Sequence, residues 1–314
     1  MKFIRYTVPI LLSFTTLLLS SFKTHDALQQ KSRLRKIVID PGHGGFDSGA
    51  KGRYSSEKDI ALAISLKLEK LLQDQIPDVE IAVTRKSDIY QSPVTKANIA
   101  NQAKGDLFVC IHCNDAPPKR VPELTGYKTV TTGKGKNKKK KQVPQYRYNI
   151  IPSTAQGTET YIWGTNKTGM KEKAMRENQS LYLDSASARY VKDFDPNSIE
   201  QMQFISLKTR VYFDRSMNLA LTIEDEFTKV GRVSREAQQR QVGIWVLQAV
   251  AMPAVLVETG FLSNPTEEDY LNSKDGQTEV AQCIVDAIKR YRYSLDNKLI
   301  TTGGATAPAK NDNK

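Results

Sequence analysis

The chain has 314 residues and a hydrophobic fraction of 39%, enough for a buried core, and it is long for one domain without demanding two. Three cysteines, Cys110, Cys113 and Cys283, exclude a disulfide framework. The net charge of +12 is uneven: the six lysines Lys134, Lys136, Lys138, Lys139, Lys140 and Lys141 supply half of it, and no aromatic residue interleaves the run, which argues against nucleic acid as a partner.

Residues 1–22 begin with Lys2 and Arg5, run through an apolar stretch from Val8 to Leu19 and end on Ser20 and Ser21. This pattern predicts a secretory signal peptide whose cleavage site is not evident. The apolar stretch is short for a bilayer span, so no stable membrane insertion is expected after cleavage. The mature protein is expected in the periplasm or cell envelope. His25 lies just beyond this segment, which leaves only His43 and His112 for the fold.

Ile37, Val38 and Ile39 read as a buried strand that Asp40-Pro41-Gly42 breaks, and His43 follows in a glycine-rich turn. Ser56 and Asp59 predict a capping box at the start of a helix with Ile60, Ile64, Leu68 and Leu71 on one face and Glu57 in its first turn. Val79–Val83 reads as a second strand, Pro93–Gln102 as a short helix, and Leu107–Ile111 as a third strand with His112 at its end and Asn114 just beyond. Residues 116–158, rich in Pro, Lys, Gly, Thr and Gln, read as a surface insertion, partly disordered. A strand resumes at Gly157–Trp163. Residues 165–207 look irregular with helical pieces and carry the acidic run Asp193-Phe194-Asp195. A helix is expected over Thr209–Thr228, strands at Gly243–Leu247 and Ala254–Val257, the latter ended by Glu258, and a last amphipathic helix over Thr278–Tyr293. Residues 294–314 are expected to be a disordered tail.

Alternating strands and helices predict one α/β catalytic domain over residues 33–293, with a mostly parallel central sheet flanked by helices and with long insertions. In such sheets ligands bind beyond the carboxyl ends of the strands. His43, His112 and Glu258 each fall at the end of a separate strand, and Glu57 opens the helix after the first strand, so all four belong to one edge.

Two histidines and a carboxylate meeting at one point are the ligand set of a catalytic zinc ion, one per chain, with a fourth position open. A further carboxylate that is not a ligand can take a proton from water and pass it to a leaving nitrogen, and Glu258 fits that role. The chemistry is metal-assisted amide hydrolysis. Plainer roles exist for each residue taken alone: a helix-start carboxylate for Glu57, a salt bridge for Glu258, a core histidine for His112. Four placements agreeing favour the joint site. Cys110 and Cys113 alternate across a strand, so neither a metal pair nor a redox pair is expected.

The stretches IVIDPGHGGFDSGA (37–50), SEKDIAL (56–62), ANQAKGDLFVCIHCN (100–114) and MPAVLVETGFLSN (252–264) resemble the zinc-dependent N-acetylmuramoyl-L-alanine amidases of the bacterial cell wall. The resemblance implies zinc held by His43, Glu57 and His112, catalysis by Glu258, and peptidoglycan as the substrate. Asn114 is a candidate substrate contact. Gly42, Gly44 and Gly45 are expected to leave room for zinc and a bulky substrate, and Asp40 to steady the turn. Departures are Cys110 and Cys113 where the family has Ser and Ala, Lys96 where it has Arg, Arg235-Glu236-Ala237 where it has Arg-Gly-Val, and a longer lysine-rich insertion. Some relatives carry a helical insertion that covers the zinc until an activator protein withdraws it. Residues 165–207 occupy that place, with Glu200 as the candidate regulatory carboxylate. The alternatives are a catalytically silent wall-binding regulator on the same fold, and a zinc peptidase acting on stem peptides.

Overall fold

A computed structural model describes residues 34–179, 198–240 and 242–297, and among these residues eight strands and seven helices, named below, carry the fold. The proposed signal peptide, the run Asp193-Phe194-Asp195 and nearly all of the tail lie outside the described residues.

The first half follows the sequence pattern. Strand β1 (Lys36–Pro41) leads to helix α1 (Glu57–Gln75), β2 (Glu80–Val83), α2 (Pro93–Gln102) and β3 (Leu107–Asn114). Side chains alternate across β1: Ile37 and Ile39 enter the core layer beneath α1, and Val38 enters the layer on the other face. The capping box is not formed as expected, because the Ser56 hydroxyl donates to Asp59 Oδ2 at 2.5 Å and caps no backbone N–H.

The second half departs further. The insertion at 116–158 is not structureless: it is an antiparallel hairpin of β4 (Lys119–Thr132) and β5 (Lys139–Ile151) that pairs with no other strand. Next come β6 (Thr158–Trp163), α3 (Thr168–Glu177) and α4 (Ile199–Lys229). Helix α4 begins ten residues before the expected start, with the Ser198 hydroxyl accepting from Gln201 N–H at 3.3 Å. The strand expected at Gly243–Leu247 is instead part of the short helix α5 (Trp245–Ala249). The sheet takes its strand from the polar segment β7 (Ser234–Arg240), an edge strand with only Ala237 and Gln239 turned inward, so hydrophobic alternation could not reveal it. Strand β8 (Ala254–Phe261) runs beyond Glu258, and α6 (Pro265–Asn272) and α7 (Lys274–Asp296) close the fold.

The sheet order is β2-β1-β3-β8-β6-β7. All pairings are parallel except β6 against β8. One face packs on α1, α7 and the C-terminal half of α4, and the other on α2, α5 and the N-terminal half of α4. The predicted α/β class and mostly parallel sheet are therefore present.

Candidate metal centre

β1, β3 and β8 are adjacent and parallel, so their carboxyl ends open on one edge. His112 and Glu258 are register partners across β3 and β8. His43 leaves β1 with φ of +56°, a left-handed conformation unusual for a residue with a Cβ. Arg85 fixes this turn: buried beneath it, it donates to Gly42 O at 2.6 Å, Pro41 O at 3.3 Å and Lys58 O at 2.9 Å.

His43, Glu57 and His112 offer one ligand atom each within 4.8 Å of one another. Glu57 lies between the rings, with Oε1 2.6 Å from His112 Nδ1 and Oε2 3.1 Å from His43 Nε2. Its N–H donates to Ala50 O at 2.9 Å, and its Oε2 accepts from Ala50 N–H at 2.8 Å, which locks the first turn of α1 to the preceding loop. Burial pushes the Glu57 pKa up, but hydrogen bonds from His112 and His43 outweigh it and hold the carboxyl well below the usual range. Burial disfavours a charged His43, yet the carboxylates of Glu57 and Asp47 prevail and raise its pKa. This set of two imidazoles and one carboxylate, anionic and buried on one side, matches a divalent cation in charge and donor type.

Glu258 lines the same open cavity of about 270 Å³ as His43, His112, Asp47 and Tyr90. It is buried, and its Oε2 has no hydrogen-bond partner. Burial is the main reason its pKa is pushed up to about 7; Glu57 and Glu159 add to the rise, while His112 and Arg240 oppose it.

Close approach explains glycine at two positions of the site. A Cβ on Gly42 would lie 2.6 Å from the His112 ring, and one on Gly49 would lie 2.4 Å from Glu57 Oε2. Gly44 and Gly45 back onto the chain at Ile89 and Tyr90. Gly42 and Gly49 thus bring backbone against ligand side chains, and Gly44 and Gly45 let the turn pack on the 89–90 segment. Asp40 does steady the turn: it accepts from the Thr84 hydroxyl at 2.5 Å and pairs with buried Lys96 at 3.1 Å, a point-charge contact that needs no arginine fork. Cys110 donates to Asp40 at 3.0 Å, while Cys113 packs in the opposite core layer.

Sequence reasoning missed two acidic residues. Asp47, four residues after His43, sits 2.8 Å from its Nδ1 and leaves Nε2 directed at Glu57. Glu159, the antiparallel partner of Glu258, binds the Tyr161 hydroxyl and Arg235 and accepts from Asn114 Nδ2 at 3.0 Å. A lone acid early in β6 carried no signal for that role. Asn114 is thus committed to Glu159, and exposed Glu200, in the first turn of α4, is not among the residues lining the cavity.

Fold and site define an α/β protein with a cluster of two histidines and a glutamate, able to hold a cation, at the carboxyl edge of its sheet. Residues 37–290 match the N-acetylmuramoyl-L-alanine amidase family, and the chain belongs to it. It is 30% identical over 258 residues to the amidase AmiC of Escherichia coli O6:H1, covering 81% of this chain and 52% of AmiC. It is 29% identical over 267 residues to an AmiB relative of Haemophilus influenzae, covering 84% of this chain and 54% of that protein. The chain thus spans about half the length of these two relatives. The amidase structure from Clostridium difficile 630 superposes with a TM-score of 0.53 at 26% identity, over 84% of this chain and 99% of that one.

Proposed function

We propose that this chain is an exported zinc-dependent hydrolase that cuts the amide bond between N-acetylmuramic acid and L-alanine in peptidoglycan, during wall remodelling or daughter-cell separation. The observation that carries this reading is the buried, unpartnered Glu258 Oε2 facing a cavity shared with His43 and His112. His43, Glu57 and His112 would hold zinc, with Asp47 orienting His43. Zinc bound there supplies Lewis acidity toward a carbonyl oxygen and toward water. Glu258, whose affinity for a proton is raised by burial, accepts the proton of the attacking water and delivers it to the departing nitrogen of L-alanine. Ile244, Trp245 and Leu256 form the apolar wall of the same cavity.

Regulation belongs to the same reading. The first turns of α4 expose Ile199, Met202 and Phe204, an apolar surface suited to an activator protein that acts on residues 165–207, with Glu200 reaching the metal in a closed state. Unchanged activity on purified wall after deletion of 165–207 would refute this regulatory role.

The test of the main reading combines metal analysis with digestion of peptidoglycan. One zinc per chain and release of intact stem peptides from sugar strands are expected. Glu258→Gln should keep zinc and lose about 10²–10⁴-fold in rate. Cleavage within stem peptides would turn the reading to a peptidase. A protein that binds wall without cleaving it would be the silent regulator.

A further inference from the structure

The β4–β5 hairpin is unlike the rest of the molecule. Every residue of its two strands except Gly126 is exposed, yet they pair from Lys119↔Ile151 to Thr132↔Lys139 with one register shift between Leu124 and Gly126. At about 3.3 Å per residue it reaches on the order of 40 Å from the body. A two-stranded ribbon without a packed face is marginally stable in water. Its two faces also differ. Alternate residues of β5 share a face, and cross-strand partners join them. Pro122, Leu124, Tyr127, Tyr146, Tyr148 and Ile150 therefore lie on one side, together with Arg120 and Lys140. The opposite side has no aromatic residue; it carries Lys128, Lys139, Lys141 and the Glu123–Arg147 pair beside Val121, Val130, Val143 and Ile151. Tyr127, Tyr146 and Tyr148 are 63%, 50% and 59% exposed. The sequence places no aromatic residue within the lysine run; pairing of the strands puts an aromatic row beside it.

Charge and position identify what this face meets. Between Glu123 and Glu159 the sequence has eight basic residues and no acidic one. The ribbon begins five residues after Asn114, at the end of β3, and leads back into β6, the strand carrying Glu159. Both of its roots are pinned to the turn after β8, by Ala116 N–H to Ser263 Oγ and Asn264 Nδ2 to Ala155 O, each at 2.9 Å. It is thus continuous with the catalytic edge. A bilayer fits less well, because the apolar residues lie between the body and a tip of lysines that a membrane would have to admit first.

We propose that the hairpin is a second binding surface for the polymeric substrate. Sugar rings of the glycan strand stack on Tyr127, Tyr146 and Tyr148, and stem-peptide carboxylates pair with Lys138–Lys141. This rests on the peptidoglycan reading above. A second contact on one polymer raises affinity through effective concentration and does nothing for a short soluble substrate.

The test uses the full chain, a Tyr127→Ser, Tyr146→Ser, Tyr148→Ser variant, a variant with Lys138–Lys141 changed to Gln, and a variant with 119–151 replaced by a Gly-Ser linker. Chelated protein is pelleted with insoluble peptidoglycan, and zinc-loaded protein is assayed on the polymer and on a soluble monomeric muramoyl-peptide. Each variant should bind the polymer about tenfold or more weakly, with KM on the polymer rising in step and turnover of the monomer unchanged. The lysine effect should fade as salt rises. Unchanged polymer binding by the linker variant overturns the proposal, as does a loss seen only with phosphatidylglycerol vesicles or only in self-association. A wild-type chain that pellets with polymer through this ribbon but cleaves neither substrate would instead overturn the amidase reading alone.

Discussion

Glu268 lies on α6, yet it governs the loop that delivers Glu57 to the site. Its side chain is fully buried. It accepts from the backbone N–H groups of Arg53 at 2.9 Å, Tyr54 at 2.9 Å and Ser55 at 3.1 Å, and from the Ser55 hydroxyl at 2.8 Å. Arg53 Nε adds an ion pair at 3.0 Å. Burial raises the Glu268 pKa, but these donors outweigh it and bring the carboxyl from 4.5 to about 2. At 1.36 kcal/mol per pKa unit, the ionised form stabilises the fold by about 3 kcal/mol. A depressed carboxyl contributes fully above its unfolded value, and the contribution is lost as pH falls from about 4.5 through about 2. Glu268→Gln keeps the volume and removes the charge, so urea unfolding at pH 7 should show a loss of about 3 kcal/mol that shrinks steadily between pH 4.5 and pH 2. Zinc affinity should fall with it, because the turn before Glu57 loosens. A deficit of the same size at pH 7 and pH 2.5, or one below about 1 kcal/mol at pH 7, would refute the reasoning.

Three further outcomes are expected. Asp47→Ala removes the acceptor on His43 Nδ1 and should weaken zinc binding by about 10–100-fold in a chelator competition, with the melting temperature of the metal-free protein nearly unchanged. Gly49→Ala places a methyl 2.4 Å from Glu57 Oε2 at a φ of +62°; purified protein should fold and carry well under one zinc per chain. In metal-free protein the Glu258 carboxyl should titrate near pH 7 by carbon NMR, and zinc should move that midpoint downward, since a neighbouring cation favours the ionised form; no movement would place the metal away from Glu258.

What the sequence determined by itself was periodic or chemically scarce. The runs 37–39, 107–111 and 254–257 are apolar enough to be buried strands of a parallel sheet, and the stripe of α1 could only pack on one. Only two histidines were available beyond residue 33, and both ended strands, so the sheet-edge rule gathered His43, Glu57, His112 and Glu258 without coordinates. Tertiary structure decided what periodicity cannot encode. β7 is polar because it forms the sheet edge, and Trp245, read as strand from its apolar neighbours, begins a short helix that lines the cavity. Arg85, Glu159 and Glu268 acquire roles only from what lies beside them, at separations in sequence that no local pattern spans. The insertion gave the same lesson: its lysines were visible as composition, but its tyrosine face exists only once β4 and β5 are in register. Local sequence fixes burial and period, whereas charge pairing and cross-strand neighbours are properties of the packed chain.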